Sequence, residues 1–264
     1  MNLEEYQKKR ILEKNQKDQE NSKKRELCLE CMRPRKVCFC KNIRPISTRL
    51  TIRILMHPKE YKRQRIGTGR LTELALKKCK IIVGEDFDKN EEVQSILSSP
   101  EYSAMILYPG KTSVNLSQDS LPEFMTSGTK RLLVFVLDGT WPCAKSMMKR
   151  STSLQVLPRI GFDSSCESQF TIKHQPAKYC LSTIESVYQL LRSFEENGLE
   201  NLGKDKDVLL RALQTLVGFQ KRCALDSALP HYRGRSRGYK EPSARNHAKK
   251  WKHRHICFED SEYK

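Results

Sequence analysis

The sequence predicts an α/β fold: a mostly parallel sheet flanked by helices. Three observations lead there. Residues 104–108 (AMILY) and 131–137 (RLLVFVL) are short apolar runs, the pattern of strands covered on both faces. Each run ends in a turn pair, Pro109-Gly110 and Asp138-Gly139, placed where open α/β sheets bind ligands, at strand carboxyl ends. Residues 182–196 and 205–225 carry apolar residues at helical spacing, which supplies covering layers.

In chain order, residues 50–56 (LTIRILM) read as a strand, 70–79 as a short helix and 80–83 as a second strand. The runs at 104–108 and 131–137 follow, then a helical stretch over 143–150 and a further short strand at 170–172. Ser182-Thr183-Ile184-Glu185 sets a hydroxyl residue three before a glutamate, the capping-box pattern with Ser182 as N-cap. Strand order is not encoded in these signals. Around the α/β unit, taken as 46–228, stand a charged extension (1–26), a cysteine segment (27–45) and a basic tail (229–264).

With 264 residues and 38% hydrophobic composition the chain can bury a substantial core. No apolar run approaches the roughly 18 residues that read as a membrane span, and the first 26 residues are highly charged. The expectation is a cytoplasmic protein with no membrane partner. The formal charge of +18 is unevenly spread: residues 1–70 hold 20 Lys+Arg against 8 Asp+Glu, and residues 219–256 hold 11 against 2. Two basic arms around a near-neutral core suit a polyanion, because phosphate contacts release counterions; a solubilising charge excess is the plainer alternative. In the tail, Tyr232, Tyr239 and Trp251 are spaced among cations that include Arg233, Arg235 and Arg237, a pattern that fits RNA.

Cys28, Cys31, Cys38 and Cys40 follow the spacing C-x2-C-x6-C-x-C. Four thiolates so near in sequence can surround one tetrahedral ion, and structural Zn2+ takes four ligands with no open position. Two disulfides, an iron-sulfur cluster or plain thiols are the alternatives; the other six cysteines are scattered without a pairing pattern. Arg33, Arg35 and Lys36 lie between these ligands, where a knuckle could present them to RNA.

Asp138 stands in the turn beyond the most convincing buried strand. It is a candidate acid, base or ligand-orienting group. Equally, it could cap the helix ahead, with Pro142 near that helix's first position. Trp141 reads either as core or as a stacking wall.

These motifs resemble the DTW-domain family, and the resemblance runs from the cysteine segment to about residue 225. It is carried by Leu55-Met56-His57-Pro58-Lys59-Glu60, Gly67-Thr68-Gly69-Arg70, Leu107-Tyr108-Pro109-Gly110, Asp138-Gly139-Thr140-Trp141, Leu157-Pro158-Arg159 and Leu181-Ser182-Thr183-Ile184-Glu185 in that order. The resemblance implies a SPOUT-like, knotted α/β fold that binds S-adenosyl-L-methionine. It further implies transfer of the 3-amino-3-carboxypropyl group to N3 of a uridine in tRNA, with methylthioadenosine released. On that footing Leu107, Tyr108, Pro109, Gly110, Asp138, Gly139, Thr140, Leu157, Pro158, Arg159, Leu181, Ser182 and Thr183 are expected at the cofactor, Asp138 as general base and Trp141 beside the base. His57, Arg65, Thr68 and Arg70 are expected on the RNA-facing side. A monomer would suffice. The alternatives are a SPOUT-like RNA methyltransferase and a zinc-knuckle RNA-binding protein without catalysis.

Overall fold

The computed structural model describes residues 26–31, 33–35, 38–63, 67–110, 112–119, 121–126, 128–163, 167–172 and 180–225, and before them the helical residues 5, 8, 9, 11–13 and 16. The elements in order are β1 (Thr51–Met56), α1 (Pro58–Arg63), α2 (Thr68–Ala75), β2 (Cys79–Val83), α3 (Glu91–Ser98), β3 (Tyr102–Leu107), β4 (Val114–Asn115), α4 (Glu123–Thr126), β5 (Arg131–Asp138), α5 (Trp141–Arg150), α6 (Thr152–Gln155), β6 (Arg159–Gly161), α7 (Thr183–Glu196) and α8 (Val208–Leu225). Among the described residues the strands form one sheet in the order β2-β1-β5-β3-β6-β4. Every pairing is parallel.

Side chains alternate across a strand, so each central strand feeds two cores. Ile52, Ile54, Met56, Val134 and Val136 face the layer built by α2, α7 and α8. Leu55, Leu133 and Phe135 face the layer of α3, α5 and α6. This double coverage is why the strands read as continuous apolar runs.

Two expectations are corrected, and the sheet is wider than the strand signals alone indicate. Residues 170–172 form no strand; Thr171 and Ile172 lie in a turn, and Phe170 is buried among the helix-side core. The helix expected over 70–79 begins at Thr68 and ends at Ala75, and Cys79 already belongs to β2. The sheet gains β4 and β6. With two and three residues, neither is long enough to show a period.

The chain direction fixes the functional geography. All strand carboxyl ends share one rim, and β1 and β5 stay joined just beyond it, where the His57 N–H donates to the Asp138 carbonyl at 2.9 Å. At the opposite rim, Ile46 bonds to Ala75 and Lys77, so the segment leaving the cysteines is stitched to the far end of α2.

Candidate functional site

Asp138 is the last residue of β5. Its carboxylate is held from two sides. Oδ1 accepts a hydrogen bond from the Thr183 hydroxyl at 2.6 Å, and Thr183 is the first residue of α7. Oδ2 rests over Gly69 in the first turn of α2, so close that a β-carbon there would lie 2.5 Å from it. The carboxylate therefore stands where the N-termini of two helices meet the sheet rim. The N-cap of α5 is Thr140, followed by Trp141 and Pro142 in its first turn, so the cap position that sequence left open for Asp138 falls to another residue.

α7 is placed for this contact by its own start signal. The Ser182 N–H donates to the Glu185 carboxylate at 2.8 Å. The same carboxylate accepts from the Ser168 hydroxyl at 2.8 Å and the Gln169 N–H at 2.6 Å. A capping box is present as the pattern requires. Glu185 also ties down the segment before the helix.

The turns after β3 and before β6 close the other side of the rim. The Ile106 N–H donates to the Pro158 carbonyl (3.0 Å) and the Tyr108 N–H to that of Ile160 (3.2 Å), which sets Leu107 to Gly110 beside Leu157 to Arg159. The Arg159 guanidinium lies 5.7 Å from the Tyr108 ring centroid and crowds Gly110, where a β-carbon would meet its Nη1 at 2.9 Å. β3 pairs with β5 up to Leu107 and Val136, so this turn is level with Leu137 and Asp138. The structure thus gathers residues 107–110, 138–140, 157–159 and 181–183 along one edge. Leu107, Tyr108, Leu137 and Leu157 are half-buried there, and Trp141 is half-buried at the start of α5.

At the other site, the Sγ atoms of Cys28, Cys31, Cys38 and Cys40 all lie within 4.8 Å of one another. Cys28 to Cys40 measures 4.0 Å and Cys31 to Cys38 3.6 Å, and all four are free thiols. Zinc at ~2.3 Å from each sulfur needs tetrahedral edges of about 3.8 Å, so the four are arranged to hold a metal ion. Burial pushes the Cys31 thiol up to about 11, and it also raises that of Cys40, where the neighbouring thiols add to the effect. Thiolates in such a place need a cation.

A second cation is already present. Arg33 is 2% exposed, and its guanidinium lies 4.1 Å from the Phe39 ring centroid and 4.7 Å from that of Phe219 on α8. Its Nε, Nη1 and Nη2 have no hydrogen-bond partner among the described residues. Burial lowers its pKa, and the charges of Cys31, Cys38, Cys223 and Cys40 pull the other way. A four-thiolate ion with net negative charge is what an enclosed, unpartnered guanidinium would balance. The cysteine set fits a metal on this observation as well as on distance.

The residues expected to face RNA are divided. Arg33, His57, Thr68 and Arg70 are all buried. His57 Nδ1 accepts from the Lys59 N–H at 3.1 Å, its Nε2 lies 3.4 Å from Glu85, and its carbonyl starts α1. Arg70 donates to the Tyr61 carbonyl at 3.2 Å and stacks 4.1 Å from the Tyr61 ring centroid. Arg35 is exposed and paired with Glu26 at 2.8 Å. Lys36, Arg65, Arg233, Arg235 and Arg237 lie outside the described residues. Sequence reasoning missed Gly69 as the floor under Asp138 and the hydroxyl of Thr183 as its partner. Both were inside motifs already noted, but their meeting is long-range.

The DTW domain model matches residues 25–221. The mouse protein "tRNA-uridine aminocarboxypropyltransferase 2" is 30% identical over 205 residues, which cover 76% of this chain and 65% of that protein. The Drosophila melanogaster protein of the same name is 32% identical over 204 residues, 75% of this chain and 76% of the relative. The Arabidopsis thaliana protein "tRNA-uridine aminocarboxypropyltransferase A" is 26% identical over 228 residues, 78% of this chain and 84% of the relative. The chain thus spans less than two thirds of the mouse relative's length. No solved structure matches it.

Proposed function

The chain belongs to the DTW-domain family, and from that membership we propose that it modifies tRNA, transferring the 3-amino-3-carboxypropyl group of S-adenosyl-L-methionine to N3 of a uridine. The names of its relatives support the reaction class. The observation that carries the reading is the Asp138 carboxylate, held at the rim by Thr183 and backed by Gly69.

The edge formed by residues 107–110, 138–140, 157–159 and 181–183 fits an adenosine: half-buried apolar side chains provide a wall, and the turns offer backbone N–H and C=O groups. A knotted, SPOUT-like path of the chain around this edge is part of the same proposal. When bound along this edge, the cofactor would supply a carbon activated by a positively charged sulfur, with methylthioadenosine as the leaving group. The protein's task is placement and a proton. N3 of uridine is a poor nucleophile while protonated; Asp138 accepts that proton, and Thr183 fixes the carboxylate's orientation. N3 lies on the pairing edge, so the uridine must be unpaired or flipped, and Trp141 offers it a ring to stack on. The four cysteines hold structural zinc.

Incubation of unmodified tRNA with protein and S-adenosyl-L-methionine, followed by nucleoside mass spectrometry, tests this. Wild type should yield a uridine heavier by the aminocarboxypropyl group. Asp138→Asn should fold and bind the cofactor but lose at least about 100-fold in rate, the scale of general-base contributions. Product formed at the wild-type rate would remove Asp138 from the mechanism.

A further inference from the structure

The described residues also form a concavity apart from the rim and the cysteines. A cleft of about 610 Å3 opens between the turn that follows the cysteines and the first half of α8. Its floor is apolar, with Phe39, Ile43, Val208 and Ala212, and its walls carry Lys41, Arg44 and Arg211. All three cations are exposed. None of them makes a side-chain hydrogen bond or ion pair with a described residue, and the one acid on the wall is Asp205.

Elsewhere on the described surface several exposed cations do have an acid beside them. Lys80 pairs with Glu92, Lys89 with Asp86, Arg131 with Glu101, Arg150 with Glu85 and Arg192 with Glu196. The excess extends past the cleft, because the bridge between Ile46 and Leu76 brings exposed Lys77 and Lys78 to the same end of the molecule. Three cations left unneutralised around a concave, low-dielectric floor focus positive potential on it.

We propose that this cleft docks the phosphodiester backbone of RNA, with Lys41, Arg44 and Arg211 as phosphate contacts. The proposal rests on the tRNA-modifying reading and gives that reading an anchor point. The cleft lies toward the end of α2 opposite Gly69, and the eight residues of that helix span about 12 Å. Phosphate contacts at that remove fix the register of a substrate without touching the reacting base. The cysteine cluster has a structural part in the cleft: Phe39, the floor residue, is also the ring on which buried Arg33 stacks.

The test is fluorescence-anisotropy titration of full-length protein with unmodified, transcribed tRNA at a series of salt concentrations. The variant Lys41→Ala/Arg44→Ala/Arg211→Ala is compared with Lys80→Ala/Lys89→Ala/Lys149→Ala, which removes equal charge around the opposite layer. The cleft variant should bind at least about tenfold more weakly at low salt, with a log-log salt slope shallower by about two to three, while the control keeps nearly the wild-type slope. Arg211→Glu should weaken binding with an unchanged melting temperature, since the residue is exposed. If wild type binds tRNA and the cleft variant matches the control, the proposal is overturned and the cleft serves another partner, such as an acidic protein surface. If wild type fails to bind tRNA, the underlying reading falls and takes the cleft with it.

Discussion

A methyl group at position 69 would sit 2.5 Å from Oδ2 of Asp138 and 2.8 Å from Cε of Met56, so the carboxylate would have to move. Alanine favours a helix over glycine by up to about 1 kcal/mol, which offsets part of the steric cost. Gly69→Ala should therefore keep most of its thermal stability while losing modification by about 100-fold, the scale set by a displacement near 1 Å; activity close to wild type would show that the carboxylate's position is not critical. Arg33 supports a second prediction. Its side chain is enclosed beside the thiols and two aromatic rings. Arg33→Ala should weaken zinc about 10- to 100-fold, as for other outer partners of metal ligands, read by competition with a chromophoric chelator; undiminished affinity would reduce the residue to packing. Asp138 was legible in the sequence because a strand pattern ended on it. Arg33 was not, since arginine is rarely fully buried and one of its two rings, Phe219, comes from the far end of the chain.

Helix starts supply the local order that positions the rim, and they differ in how plainly they are written. Ser182 and Glu185 are three residues apart, so their reciprocal bonds could be read directly and recur in the structure. The start of α6 depends instead on Asp88, more than sixty residues earlier. Its carboxylate accepts from the N–H and hydroxyl groups of Thr152 and Ser153, a link no local pattern contains. Burial opposes the charge on Asp88, but the bonds from Ser153 and Thr152 outweigh it and hold the carboxyl at about 2, below its ordinary 3.8. A lowered folded-state value means stability that is present above pH 3.8 and lost as pH falls toward about 2. Asp88→Ala should cost about 1 kcal/mol near neutral pH, as for other caps, and progressively less below pH 4 in urea titrations; a difference independent of pH would contradict the assignment. The same logic explains the strands. β1, β3 and β5 are visible as apolar runs, whereas β6 exists only because β3 offers it a partner and β4 only because β6 does, and Phe170 reads as a strand residue because burial alone looks alike in a loop and a sheet.

At the scale of the whole molecule, the rim chemistry and the charge lie apart. The turns at 107–110 and 138–140 lie at strand carboxyl ends with the start of β6 beside them, while the unneutralised cations of the knuckle-side cleft lie toward the opposite end of α2. A large polyanion is the kind of substrate that can engage both at once. Sequence revealed the parallel α/β class and the excess of basic residues, but not which cations remain unpaired, because pairing is settled only when α8 folds against the segment after the cysteines. Among the described residues no helix is long and apolar enough to cross a membrane. The central claim is that the amino-acid arm of the cofactor, not its methyl group, reaches RNA. The most direct measurement follows S-adenosyl-L-methionine labelled in the carboxyl carbon through incubation with unmodified tRNA. The label should enter the RNA in one-to-one ratio with methylthioadenosine formed. An RNA that stays unlabelled while S-adenosylhomocysteine accumulates would contradict the account and identify a methyltransferase.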